Sequence, residues 1–542
     1  MIRYRGWSVD ERGELHAPHK RGLVCGLGMG LGLGHGVGGS VASITQSLIA
    51  EFGGFWADPN YGSGPTMAAA PTNKDWNMED AGTAAYTAEL SGVLTKETGT
   101  PHGGTQCLRC TGPTGAGCYQ IGIAGNRLSV DQWMRVDAAT TTGRFGNLSN
   151  ITGSNSTTST TWAHVQCDGM LNSAGMRIVQ IATATGTGWV ECDDVSISNL
   201  SITAITPRFA AALNCLADGD CSDAGTAAWT VGAGGGSLSK SGGALRVTSV
   251  TTATCARQVL VTGRQYRLTG TARGDGGSGI PRVNMSAAVW TGTNSVSDQA
   301  IDVTFTAGSA NCDLYNSGTS GYADFNNLVL TDVSTPAGIL AQSTATSQPW
   351  LSSTTVNGKR VLQSADTDVL LGSLAAPAYR FLHCGSGGTL PLFIYSRNIN
   401  SSSLSAVNTL LCTYAAASKA GIWVYVTTAG AITVTWYDAA GFALQTAASA
   451  NGAVVVGTSY VITVWSDGAN FGVLKNGAAA IAATALSFTP DMTVPSNYQS
   501  GNGTSTPIVG SHSNEVLVAG YRDAASTLAL HREQAAQWGI AA

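Results

Sequence analysis

The chain has 542 residues, 11% of them charged, with a formal net charge of −5 and 69 glycines. That length exceeds one ordinary core and predicts roughly three or four domains, while 43% hydrophobic residues and so small a net charge argue against intrinsic disorder. No long basic run is present for nucleic acid, and no stretch of about 18 apolar residues for a membrane span.

From the N-terminus, Met1-Ile2-Arg3-Tyr4-Arg5-Gly6-Trp7 leads straight into polar sequence, without the apolar stretch of a signal peptide. Residues 22–39 are apolar and glycine-rich, and at about 1 kcal/mol per Gly relative to Ala a lone helix is costly there. The reading is an ordered or assembly-dependent arm, with a membrane-active segment and a simple linker as alternatives. Apolar residues at 44, 48, 49 and 52 then predict a short amphipathic helix, stopped at Gly53-Gly54. Alone it has nothing to cover its apolar face, so it is assigned to an attachment arm. A second short helix is predicted near residues 525–538.

Everything between reads as strands in three segments, from about residue 75 to 202, 209 to 333, and 335 to the end. Gln132-Trp133-Met134-Arg135-Val136-Asp137, Gln265-Tyr266-Arg267-Leu268-Thr269-Gly270 and Ile432-Thr433-Val434-Thr435-Trp436-Tyr437 alternate as strands do. Many short strands with Gly and Asn turns indicate sandwiches rather than parallel α/β sheets. The first two segments look like diverged copies of one module. Each opens on an Asn/Asp cluster (Asp75-Trp76-Asn77-Met78-Glu79; Asn214-Cys215-Leu216-Ala217-Asp218-Gly219-Asp220), continues to a lysine after Leu94-Thr95 or Leu238-Ser239, and closes on Asp193-Asp194-Val195 or Asn326-Asn327-Leu328.

Of twelve cysteines, Cys107, Cys110 and Cys118 have a metal-like look. No second pair follows at zinc-finger spacing, and positions 107 and 110 face opposite sides of one strand, so buried free thiols are the preferred reading. No HExxH, G-x-S-x-G or Walker-type pattern occurs, which leads to the expectation that the chain is not an enzyme. Trp133, Trp162, Trp423 and Trp465 are read as core residues of apolar strands, and Arg273-Gly274-Asp275 as a turn without recognition value.

On Asn77-Met78-Glu79, Lys96-Glu97-Thr98, His102-Gly103-Gly104, the strand around Trp133 and Asp193-Asp194-Val195, the first segment resembles the jelly-roll carbohydrate-binding modules of families four and nine. Trp229, Leu245-Arg246-Val247 and Asn326-Asn327 give the second segment a fainter likeness. The third resembles concanavalin-A-like or laminin-G-like sandwiches of phage structural proteins, on Val356-Asn357-Gly358-Lys359-Arg360, Trp465-Ser466-Asp467-Gly468 and Leu474-Lys475-Asn476-Gly477. Phe55-Trp56-Ala57-Asp58-Pro59 is similar to a segment near the start of phage virion proteins. The resemblance implies a structural Ca²⁺ held by Glu79 with Asp193 or Asp194, tying the ends of the first jelly roll. Turn-capping carboxylates on a solvated edge are the alternative. The second module, with Asn326-Asn327, would lack the ion.

Together these readings predict an all-β chain of tandem β-sandwich (jelly-roll) domains with a short, partly helical N-terminal arm. The arm spans 1–70, the jelly rolls 71–205 and 206–334, and the concanavalin-A/laminin-G-like sandwich 335–542. The expected function is that of a non-catalytic virion fibre, spike or decoration protein of a tailed bacteriophage, made in the host cytoplasm. Its expected partners are other virion proteins through the arm, a host-surface glycan, and further copies of itself, as in a trimer. A secreted or cell-surface carbohydrate-binding protein is the alternative, and a polysaccharide depolymerase the third reading.

Overall fold

The computed structural model describes residues 8–9, 15–16, 43–57, 65–67, 75, 77–120, 126–147, 155–172, 175–205, 209–211, 213–334, 340–342, 344, 347–365, 368–385, 388–415, 419–500 and 508–542. The glycine-rich stretch 22–39 and Cys25 lie outside them. The chain divides into two compact units, residues 1–42 and 43–542. In the first, Ser8–Val9 pairs antiparallel with Leu15–His16. All that follows concerns the second, which is built of antiparallel sheets in sandwich-like domains.

The first jelly roll packs two five-stranded sheets around its own core. One sheet runs Ala163–Asn172, Asn126–Val136, Gly188–Asn199, Cys107–Gly112, Val93–Glu97 across the fold. Val130, Met134, Val136, Val190 and Cys192 point from it into the core, where they meet Phe145, Val179, Ile181 and Cys118 of the second sheet. The second jelly roll repeats this topology strand for strand, with Tyr322–Asp332 in the place of Gly188–Asn199 and Gln265–Arg273 in that of Asn126–Val136. The sequence marks of the repeat coincide in space. Lys96 Nζ bonds Asp75 Oδ2 at 2.6 Å, and Lys240 Nζ bonds Asp218 Oδ2 at 2.5 Å. Both acids hold left-handed backbone, at φ 53° and 52°, a region Asp and Asn enter more readily than most residues.

The third sandwich is larger than its own segment of sequence. One of its sheets carries, at one end, Pro65–Met67 beside Ile202–Ile205, then Leu340–Ala341 and Leu370–Gly372. Its other sheet includes Phe209–Ala211, Gly54–Ala57, Gly510–Val518 and Leu392–Ser401 in succession. The linkers before and after each jelly roll are therefore strands of the third sandwich. The apolar core of the second jelly roll is continuous with that of the sandwich, whereas the first keeps a separate one.

Of the segment 1–70 read as an attachment arm, residues 43–57 and 65–67 belong to this second unit. The predicted helix forms as Ile44–Phe52, started by Ser43, whose side chain accepts from Gln46 N at 3.1 Å. Its apolar face is covered: Leu48 and Ile49 pack with Trp56, Ile394, Val516, Val518 and Leu530. Leu530 belongs to the C-terminal helix, Ala524–Gln537, capped by Asp523. Glu533 of that helix accepts from Thr45 N at 3.0 Å and Thr45 Oγ1 at 2.7 Å. Of the eleven described cysteines, none is in a disulfide and all but Cys167 are buried.

Three histidines in the third sandwich are buried and neutral. Arg397 can only donate, so the 2.8 Å contact from its Nη2 makes His512 Nδ1 an acceptor and leaves Nε2–H for Ser364 Oγ at 2.7 Å. His531 Nε2 accepts from Gly477 N at 2.8 Å. Burial holds His512 well below the usual imidazole range, and brings His383 and His531 down to about 4.

Two predictions follow from this packing. Trp56→Ala, which empties the junction of strand and helices, is expected to lower the unfolding free energy by about 3–5 kcal/mol in urea titration. The histidines are expected to make the fold acid-sensitive. Unfolded, each takes a proton near pH 6.5; folded, His383 and His531 resist until about pH 4. The unfolded state thus binds more protons below about pH 6.5, and stability falls with pH by up to about 1.4 kcal/mol per unit per histidine. Melting scans between pH 7 and 5 measure this slope, and His531→Gln should flatten it.

Candidate functional site

On the outer face of the first jelly roll, Glu191 is fully buried between two arginines from the flanking strands. Its Oε1 accepts from Arg109 Nε at 2.8 Å and its Oε2 from Arg135 Nε at 2.5 Å. Arg109 lies 4.6 Å over the ring of Trp189. The second jelly roll has the same clamp in the same register. There Arg246 and Arg273 hold Asp324 at 2.8 and 3.2 Å, and Arg246 lies 3.6 Å over Tyr322. A device present in both modules belongs to their common scaffold. The modules are therefore best distinguished by what surrounds it.

The first difference is a hairpin. Lys240-Ser241 and Ala244-Leu245 are joined by Gly242-Gly243, both at positive φ, the tightest connection available. The corresponding strands of the first module are joined by residues 98–106. This longer loop is pinned at its middle and near its end by the carboxylates singled out from sequence. Asp193 Oδ2 accepts from His102 N at 2.9 Å and Gly103 N at 3.0 Å. Glu79 Oε1 accepts from Thr105 N at 2.8 Å, and its Oε2 from Thr105 Oγ1 at 2.5 Å. A Cβ at Gly104, where φ is +59°, would lie 2.1 Å from Glu79 Oε1, so a side chain there would strain the left-handed backbone and push the Glu79 carboxylate away from the loop.

The second difference is aromatic. The loop lays His102 on Trp133, with ring centres 3.9 Å apart and planes 14° from parallel. Asp194 Oδ2 fixes that imidazole through Nδ1 at 2.9 Å. The ring of His164 lies 5.1 Å from that of Trp133, bonded to Asp131. Trp162 meets His102 edge-on at 5.9 Å, donates to Thr100 O at 3.1 Å, and carries Arg135 4.7 Å over its ring. By register, the second module has Thr271 in place of Trp133 and Ala300 in place of His164. One scaffold thus carries an aromatic and imidazole cluster in the first module and small side chains in the second.

Glu79, Asp193 and Asp194 are accordingly brought to one loop, but in another role than ion ligands. Asp193 Oδ1 accepts from Asp194 N at 2.9 Å, and Asp194 turns left-handed at φ 48°. The ladder slips there between Asp193 and Ser196. Asn326 and Asn327 make the same bulge, with a 2.8 Å bond and φ 51°. The doublet is a β-bulge device that Asn serves as well as Asp. The oxygens of Glu79 and Asp193 are taken by N–H and O–H donors, and among the described residues no group of three or more His, Cys, Asp or Glu is placed to hold a metal ion. As arranged, these residues do not fit a calcium ion.

The tryptophans also differ from expectation. Trp133, Trp162, Trp423 and Trp465 are all half-buried rather than core residues. In Asn126–Val136 the inward positions are the even ones, including Gln132, whose Nε2 donates to Ile178 O at 3.1 Å inside the core. That parity turns Trp133 and Arg135 outward. Arg273-Gly274-Asp275 is structural, its aspartate accepting from Gly277 N at 2.9 Å and Gly279 N at 2.8 Å. His164, Asp131 and Thr100 were not legible as site residues. Their only signal was alternation on strands whose facing was not yet known.

Glu191→Gln and Asp324→Asn should each destabilise the chain by about 2–3 kcal/mol, less than for a fully buried pair because the arginines keep some contact with water. Chelation is expected to leave the melting temperature of the full chain unchanged. A fall would show the loop's donors giving way to an ion.

No family model matches the chain, and no curated protein sequence does. Among solved structures it is similar to the N-terminal CBM22-1-CBM22-2 tandem domain of Paenibacillus barcinonensis Xyn10C, at 12% identity and a TM-score of 0.23, covering 50% of this chain and 100% of that one. It is also similar to the Ruminococcus gnavus IT-sialidase CBM40, at 16% identity and a TM-score of 0.23, covering 26% of this chain and 82% of that one. A third likeness is to the binding domain of botulinum neurotoxin serotype D, at 8% identity and a TM-score of 0.26, covering 38% of this chain and 52% of that one.

Proposed function

We propose that this chain is a non-catalytic adhesion protein whose first jelly roll contacts a glycan through the face around Trp133, Trp162, His102 and His164. The observation that carries this reading is the contrast between two modules of one topology. Sugars offer apolar C–H faces edged by hydroxyls, which suit aromatic rings set among imidazoles and carboxylates. The rings here are held before any ligand arrives: His102 by Asp194, His164 by Asp131, Trp162 by Thr100. Such preorganisation lowers the ordering cost of binding. A non-catalytic role is supported by the engagement of Glu79, Glu191 and Asp193 with the scaffold itself.

The carrier of this face is, in our reading, a virion fibre, spike or decoration protein that assembles as a homo-oligomer. Its support is the N-terminal resemblance and the β-sandwich series. A secreted or cell-surface carbohydrate-binding protein would use the same face, and mass spectrometry of purified particles separates the two. On a glycan array the full chain is expected to retain a defined set of glycans. Trp133→Ala and Trp162→Ala should each weaken binding at least about tenfold, or about 1.4 kcal/mol, while Thr271→Ala leaves it intact. Binding that survives both tryptophan changes would overturn the assignment of the face.

A further inference from the structure

A cavity of about 360 Å³ lies where residues 213–220, at the start of the second jelly roll, meet the 3-10 helix Ala376–Leu382 of the third sandwich. Most of its wall is apolar, with Phe52, Leu213, Leu216, Phe381 and Leu392 among the lining residues. Into this wall is set Arg380, only 8% exposed. Its Nε makes no hydrogen bond, and no carboxylate among the described residues stands within ion-pair distance. Its main titratable neighbours are two thiols, Cys384 and Cys215. Burial pushes these up to about 11 and about 12, so both are neutral at physiological pH. The two other buried arginines among the described residues both have partners: Arg177 bonds Glu89 Oε2 through Nε at 2.6 Å, and Arg397 bonds Leu410 O at 2.7 Å and faces Glu515 at 4.0 Å. Arg380 is thus a buried cation without an ion-pair partner among the described residues, a costly arrangement unless something else supplies one.

We propose that this cavity binds a small organic carboxylate, whose anionic group pairs with Arg380 and whose body fills the space between the apolar side chains. The planar guanidinium matches a carboxylate in a two-pronged pair. One cation matches one negative charge, and Asp220, in the same wall, opposes every anion, a doubly charged phosphate more than a carboxylate. The volume lies in the range of small-molecule sites. The carboxylate could belong to a free organic acid or to an acidic sugar.

The test uses the full chain and two matched pairs of probes, benzoate with benzamide and glucuronate with glucose. Calorimetric titration is expected to give an acid at least tenfold tighter than its neutral counterpart, with a concentration-dependent rise in melting temperature. Discrimination in the benzoate pair assigns the site to acids with an apolar body, and discrimination in the glucuronate pair alone assigns it to a sugar acid; either supports the proposal. Arg380→Met should abolish the discrimination. The proposal is overturned if neither acid is distinguished from its neutral partner, or if Arg380→Met keeps the preference. The comparison on the unaltered chain decides the matter even where the variant does not fold.

Discussion

Backbone pairing between linkers and the third sandwich is the constraint on which the rest of the molecule depends. Pro65–Met67, Ile202–Ile205, Phe209–Ala211 and Leu340–Ala341 flank the jelly rolls in sequence, yet each is a strand of the sandwich. With Gly54–Ala57 paired to Gly510–Val518, the sandwich gathers chain from both ends of the 500-residue unit. The jelly rolls are therefore insertions into a third domain, although their order suggests beads on a string. Such closure joins residues far apart in sequence, at an entropic cost that grows only slowly with loop length. It is met by ladder hydrogen bonds and by the burial of Phe55 and Trp56.

The two jelly rolls separate scaffold from surface within one molecule. What they share is the lysine–aspartate tie, the acid between two arginines and the doublet that bends the last long strand. Each satisfies a buried polar group or a backbone irregularity, so each persists whatever the face is used for. What they do not share is the 98–106 loop and the rings it organises. Where the second module turns on two glycines, the first has nine residues, which bring His102 over Trp133 on the same strand order. The face of the first module is in this sense an elaboration of a turn.

Much of the architecture could be read from sequence because alternation and turn chemistry are local. The all-β class, the repeat, and both helices with their ends at Gly53 and near residue 538 rest on patterns within a few residues. Parity was harder. In Gln132-Trp133-Met134 the larger apolar ring invites an inward assignment, yet the buried amide of Gln132 has a carbonyl partner across the core, and the ring faces out. The doublet was visible, but the bulge it makes in the last long strand was not. Linker strands of two to four residues carry no alternation, so their sheet partners were not legible. Neither was Arg380, whose isolation depends on what three-dimensional packing leaves out.

The points of insertion have a mechanical consequence. The chain leaves the third sandwich after Met67 and returns at Ile202, and these two residues face each other across one ladder. Tension on the first jelly roll therefore enters through two neighbouring strands pulled in the same sense, and their mutual pairing is spared. The load passes instead to the pairing of Ser201 with Trp350 and to the ladder between Ile202–Ile205 and Leu340–Ala341, directed along the strands. Hydrogen bonds lying across the direction of pull must fail together rather than one after another. Anything tethered by that face would be held by a joint in shear, and not by a zipper that opens from one end.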